Sequence, residues 1–195
     1  MNVVGPAIPA IGFIDDSGET RSMGDLAGSP TILVPIYTRC HGSCPTVAAS
    51  LKNAILQSST PTGAYHVVLF SFDSRETSQD LKHFREHEHL PFQWTMARAS
   101  EKDSDALTQS IGFRYTRADG EFLHPNLVAV LDSRLRVAKL LEGENYTAGE
   151  IDQALSFAKG REDWKGSLEL PVLCIGLLLL TISTGYLIHL LTRRT

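Results

Sequence analysis

Two cysteines, Cys40 and Cys44, stand three residues apart in Thr38-Arg39-Cys40-His41-Gly42-Ser43-Cys44-Pro45. Gly42 and Ser43 let the intervening loop bend so that both sulfurs face one point. Such a pair has two chemistries. As thiolates the sulfurs are a soft donor set for Cu(I) or Zn, and as a dithiol they close reversibly into a disulfide. Pro45 suits the first position of a helix, which sets Cys44 at or near the cap, where unpaired backbone N–H groups favour a thiolate. Arg39, beside Cys40, is expected to act in the same direction. A surface disulfide or a pair of inert core thiols would use the same residues, but the surrounding strand, loop and helix argue against both.

Thr31-Ile32-Leu33-Val34-Pro35-Ile36-Tyr37 is apolar and β-branched and predicts a buried strand, while residues 45 to about 57 predict a helix. The two thiols therefore belong where a strand's C-terminal end turns into a helix, the edge at which open α/β sheets collect ligands. Pro35 removes a ladder hydrogen bond and predicts a bulge or an edge. A second buried strand is expected over 66–72. Asp73 at its end would lie near Cys40 if the two strands are parallel neighbours, either orienting a metal site or its docking partner, or only closing a turn. The expected helix 78–89 carries His83 and His87, four apart and able to pinch a metal from one face, in a run whose charges mark a solvated surface. The rest predicts a hairpin over 9–21, a helical turn at 23–26, a short strand at 93–96 and a helix over 103–111 stopped by Gly112. An excursion over 115–122, turning at 118–121, then precedes strands at 127–132 and 136–141. A helix over 148–159 follows, opened by Thr147 with Glu150 as its capping-box partner.

Tyr37-Thr38-Arg39-Cys40-His41-Gly42-Ser43-Cys44-Pro45 resembles the Y-T-R-C-x-x-x-C-P signature of the Sco (SenC) proteins, thioredoxin-fold copper proteins used in assembling cytochrome c oxidase. The resemblance runs from Val4 to Leu155. Residues 12–28 resemble the family's opening hairpin. Ser71-Phe72-Asp73-Ser74-Arg75-Glu76-Thr77-Ser78-Gln79 resembles S-V-D-P-x-x-D-T-P, with Ser74 and Gln79 where the family has prolines and Thr77 where it has the second aspartate. Phe122-Leu123-His124 resembles the family's metal-binding histidine, although Pro125-Asn126 is not the usual β-branched continuation. The resemblance implies an α/β, thioredoxin-like fold in which His124 faces the cysteine loop. It also implies a copper site, for Cu(I) and Cu(II), made by Cys40, Cys44 and His124.

A chain of 195 residues with 43% apolar content builds one domain with a real core plus an appendage. A net charge of −4 without a basic run leaves no footprint for nucleic acid. Three cysteines exclude a disulfide-rich scaffold, the third being Cys174 in an apolar tail. From Leu170 to Leu191 no Asp, Glu, Lys or Arg interrupts the run. As a helix rising ~1.5 Å per residue it spans roughly 33 Å, matching a hydrocarbon core of about 30 Å. Trp164 and Tyr186 suit the two interfaces, and Arg193-Arg194 close the far end. The expected organisation is a thioredoxin-like copper-binding domain over 1–160, a linker over 161–169, a transmembrane helix over 170–191 and a basic tail over 192–195. The span would cross the inner (cell) membrane once, with the domain periplasmic and the C-terminus cytoplasmic. This C-terminal anchor departs from the N-terminal helix usual in the family. Residues 1–6 carry no signal-peptide pattern, which leaves a removed upstream segment or another export route as the alternatives.

Three functions follow from these features. The first is a membrane-anchored copper carrier that delivers copper to, or assembles, the copper centre of a respiratory cytochrome c oxidase. The second is a thiol–disulfide oxidoreductase acting on cysteines of a copper-centre subunit. The third is an accessory subunit whose small residues Gly176, Ser183, Thr184 and Gly185 pack against other membrane helices. The expected partners are cytochrome c oxidase subunits or other membrane subunits of a respiratory complex. On donor types alone zinc would also fit, and the family resemblance favours copper.

Overall fold

The structure is a computed structural model and describes residues 5–118 and 121–160. Its strands are β1 (Gly12–Asp15), β2 (Thr20–Ser22), β3 (Thr31–Ile36), β4 (His66–Ser71), β5 (Thr95–Arg98), β6 (Thr116–Ala118), β7 (Glu121–Leu123), β8 (Leu127–Leu131) and β9 (Val137–Glu142). The helices are α1 (Ser43–Leu56), α2 (Ser78–His87), α3 (Glu101–Ser110) and α4, followed over 148–160. A single 3-10 turn spans Met23–Leu26.

Seven strands form one sheet in the order β2-β1-β5-β4-β3-β8-β9, and β6 pairs with β7 outside it. β3, β4 and β5 run parallel at its centre. Every residue of β3 is buried, as a parallel strand covered on both faces requires. The β3–β4 register runs from Thr31 opposite His66 to Ile36 opposite Ser71, so both strands end at the same level. On the other side of β3, β8 is antiparallel, with Thr31 opposite Leu131 and Leu33 opposite Ala129. The segment entering β8 thus arrives at the end where β3 leaves for the cysteine loop. This topology brings distant parts of the chain to one edge.

Pro35 is neither in a bulge nor on an edge strand. The Ile36 carbonyl accepts from Phe72 N–H at 3.0 Å, so Ile36 points toward β4 and its neighbour Pro35 toward β8. There the ladder has already ended at Leu33, and the missing N–H leaves nothing unpaired.

Element edges shift by one or two residues. α1 begins at Ser43, two residues earlier than expected, because Pro45 is tolerated anywhere in a first turn whose N–H groups have no intrahelical partner. α2 stops at His87, and His89 turns the chain with a positive φ of 50°. β5 starts at Thr95, and Gly112 takes the left-handed conformation, φ 75°, that ends α3. The Thr147–Glu150 capping box forms, with the Glu150 carboxylate accepting from Thr147 N–H at 2.9 Å and the Thr147 hydroxyl accepting from Glu150 N–H at 3.3 Å. Asp152 of α4 accepts from Ser58, Ser59 and Thr60, tying the end of α1 to the last helix.

Among the described residues no helix is long and apolar enough to cross a membrane. The expected linker 161–169, span 170–191 and tail 192–195, with Trp164, Cys174 and Tyr186, lie outside the described residues, as does the tip of the β6–β7 hairpin at 119–120.

Candidate metal centre

β3 ends at Ile36, and a turn closed by Cys40 N–H on the Tyr37 carbonyl at 3.3 Å lifts Cys40 to the sheet edge. Gly42 caps α1, which makes Cys44 the second residue of the helix. Its N–H is one of the donors that a first turn leaves without a helical acceptor, and it goes to Cys40 Sγ at 3.4 Å. Both cysteines are free thiols and buried, Cys40 at 8% and Cys44 at 2% exposure. His124, three residues before β8, comes in from the opposite side, half-buried. Its Nδ1 lies 3.0 Å from the Pro125 carbonyl, which only accepts, so Nδ1 holds a proton and Nε2, hydrogen-bonded to Cys40, is the nitrogen that can ligate once it gives up its own. One donor atom each from Cys40, Cys44 and His124 lie within 4.8 Å of one another, and among the described residues no other group of three or more His, Cys, Asp or Glu converges in this way.

The two sulfurs are not equivalent. The side-chain hydrogen bond from Cys44 holds the Cys40 thiol down at about 3; burial opposes this, and hydrogen bonds from His124 and the backbone reinforce it. Cys44 is pushed up, first by its bond to Cys40 and then by burial. Burial works against protonation of His124, but Cys40 and the Pro125 carbonyl outweigh it and raise the imidazole. Burial and a hydrogen bond to Cys40 lift the Tyr37 phenol to about 12. Cys40 is thus the thiolate, ringed by donors.

Two expectations are corrected here. The helix N-terminus acts on Cys40 through the Cys44 N–H, and it is not Cys44 whose thiolate is favoured. Arg39 does not reach Cys40. Its Nη2 donates to Asp73 Oδ2 at 2.7 Å, and its Nε lies 4.0 Å from Glu76 Oε1.

Of the roles considered for Asp73, the turn is the one seen. It accepts Arg75 N–H at 3.2 Å as a turn residue, and it also gathers the side chains of Arg39, Arg75 and, at 3.9 Å, Arg117. Beside it Glu76, 2% exposed, accepts Thr38 N–H and the Ser71 hydroxyl, each at 2.6 Å. This carboxylate ties the cysteine loop to the end of β4. The sequence reading passed over Glu76, whose only signal was its place inside the Ser71–Gln79 stretch.

An aromatic nest, also not anticipated, holds the imidazole. The rings of Tyr37, Phe72 and Phe113 lie 5.9, 5.4 and 5.6 Å from that of His124. Phe72 is its hub, meeting Tyr115 in a tilted pair at 4.6 Å and Phe122 edge-to-face at 5.2 Å, and such ring contacts fix orientation. His83 and His87 stand on α2 outside the three-donor group.

A central parallel sheet with a cysteine pair between its first parallel strand and the next helix defines a thioredoxin-like protein. Here the same edge adds an imidazole, and two sulfurs with one nitrogen form a donor set able to hold copper. The chain belongs to the SCO1/SenC family, whose model matches residues 9–157. Among solved structures it is similar to a protein of Aquifex aeolicus VF5 with a suggested electron-transfer role, at 34% identity and a TM-score of 0.77, covering 81% of this chain and 95% of that one. ScoI of Arabidopsis thaliana, solved with copper bound, shares the fold at 19% identity and a TM-score of 0.66, over 80% and 98% of the two chains. So does BsSco, described with a disulfide switch and as a member of the Sco family of cytochrome c oxidase assembly proteins, at 18% identity and a TM-score of 0.70, over 80% and 94%. Among curated proteins no match is found.

Proposed function

We propose that the chain is a membrane-anchored copper carrier that delivers copper to, or assembles, a copper centre of a respiratory cytochrome c oxidase. The observation that carries this is the convergence of Cys40, Cys44 and His124 within 4.8 Å. The sulfurs suit Cu(I), and the imidazole extends the donor set to Cu(II). Burial excludes most of the solvent, yet Cys40 borders a groove of about 480 Å³, which gives a recipient's ligand a way to the ion. A site with three protein ligands releases its cargo by sharing a fourth ligand with the recipient. The apolar run 170–191 supports anchoring in the inner membrane, Arg193 and Arg194 beyond it favour a cytoplasmic C-terminus with the domain outside, and the anchor leads to membrane subunits of the oxidase as partners. The test is a copper titration of the reduced chain. One equivalent should bind, with a sulfur-to-copper charge-transfer band, and His124→Ala should lose it to a competing chelator while keeping its dithiol chemistry. Unchanged copper stoichiometry in His124→Ala would sink the ligand assignment.

A second activity is favoured by the inequality of the two thiols. The Cys40 thiolate would attack a partner disulfide and expel one partner sulfur as a thiolate. Cys44, giving its proton to water, would then attack Cys40 and release the second. This chain ends as the Cys40–Cys44 disulfide, and the partner gains two electrons as a dithiol ready for metallation. Cys44→Ser should trap the mixed disulfide. No trapped adduct with a disulfide peptide would remove this activity.

A further inference from the structure

α2 carries a pair of ligands that the centre does not use. His83 and His87 are four positions apart, so their side chains emerge on one face of the helix. Both line the groove that Cys40 and His41 also line, and the carboxylates of Asp80 and Glu88 border it. His87 Nδ1 lies 2.8 Å from Glu88 Oε1. A carboxylate only accepts, so Nδ1 carries a proton, and in the neutral ring the lone pair is on Nε2. Metal-ligating imidazoles are oriented in this way, through a carboxylate on the far nitrogen. Glu86, between the two histidines, lines a separate groove with Arg85, which leaves Asp80 and Glu88 as the carboxylates bordering the pair.

We propose that His83 and His87 form a second, outer copper(II) position in the groove that leads to Cys40, and that it loads the inner centre. The identity of the ion rests on the copper reading of Cys40, Cys44 and His124. Imidazole nitrogen and carboxylate oxygen suit divalent ions, and copper(II) is the one such donors hold most tightly. With two nitrogens from the protein the outer position is the weaker. The ion therefore passes by ligand exchange to the buried sulfurs, with no change in oxidation state, and the protons displaced there go to water.

The experiment adds copper(II) alone to the full chain in mild detergent. In Cys40→Ser/Cys44→Ser the electron paramagnetic resonance spectrum should show copper coupled to histidine nitrogen. Adding His83→Gln/His87→Gln should weaken that binding by about tenfold or more. A signal unchanged by the histidine substitutions, or no signal in the serine variant, overturns the proposal. With both cysteines in place, His83→Gln/His87→Gln should slow the rise of the sulfur-to-copper band by about tenfold at an unchanged final amplitude. An unchanged rate also overturns it. Failure of the inner centre has a different signature, the absence of that band in the unsubstituted chain, whereas the resonance signal reports the outer pair.

Discussion

Cys44 gives the sulfur of Cys40 two donors, its backbone N–H at 3.4 Å and its own thiol. The relationship fixes which sulfur is nucleophile and which is held in reserve. It follows from α1 starting at Ser43, which leaves the second helical N–H without an acceptor other than Cys40.

Alkylation of the reduced, metal-free chain should therefore modify Cys40 first, at a rate that stays nearly flat from about pH 5 to 8. Cys44→Ala removes the leading donor and should move the onset of reaction upward in pH. Cys44→Ser keeps a hydroxyl donor and should move it less. A rate that climbs tenfold per pH unit in the unsubstituted chain would show that Cys40 is an ordinary thiol.

Glu76→Ala leaves Thr38 N–H and the buried Ser71 hydroxyl without their acceptor. Each loss costs about 1–3 kcal/mol, so urea unfolding should register a drop of roughly 2–6 kcal/mol. Glu76→Gln retains one carbonyl oxygen and should lose less. An unmoved midpoint in Glu76→Ala would remove Glu76 from its place as the tie between β4 and the cysteine loop.

Asp73 sets an acid limit to stability. Burial would raise its carboxyl, but hydrogen bonds from Arg75 and Arg39 and the charge of Arg75 hold it at about 2 in the folded chain. A depressed carboxyl stabilises fully above its unfolded value of about 3.9, and the contribution disappears as pH falls through 2. The stability curve should lose roughly 1–2 kcal/mol between about pH 4 and 2, after discounting for the half-exposed arginines. Asp73→Asn should flatten that limb. Glu76 works oppositely, since burial raises its carboxyl, so its contribution is present at low pH and declines as pH rises through the folded value. A limb equally steep in Asp73→Asn would assign acid lability elsewhere.

Phe72→Leu should cost roughly 1–3 kcal/mol by opening space at the hub of the aromatic nest. Its sharper effect should fall on copper retention, because His124 loses a wall while the Cys40–Cys44 contacts stay intact. Equal losses in copper retention and thiol reactivity would mean that Phe72 supports the whole edge and not the imidazole.

Much of this edge could be read from residue types. The β-branched run at 31–36, the glycines and proline of the cysteine loop, and the order of the three ligand positions along the chain all point to one sheet end. What stayed hidden depends on side chains from remote segments. Arg39 looked like a partner for Cys40 because they are neighbours in sequence, and only the fold shows Asp73 competing for it across the parallel β3–β4 register. Glu76 has no periodicity to announce a buried carboxylate. Phe72 and Phe113 each resemble ordinary core residues until the topology gathers them around His124, and Phe122 joins through Phe72. Pro35 seemed a conflict because a linear reading does not reveal where a neighbouring ladder stops.

The end of the β3–β8 ladder at Leu33 has one more consequence. Beyond it no backbone pairing stitches β3 to β8, and the sulfurs and the imidazole come from either flank of that seam. An ion gripped by all three becomes a clasp across the slit, adding a direct cross-link to a chain loop of about eighty residues that the ladder up to Leu33 and side-chain packing otherwise close. Loaded and empty forms should thus part company under heat and protease, with the loaded chain outlasting the other in proportion to how tightly the metal is held.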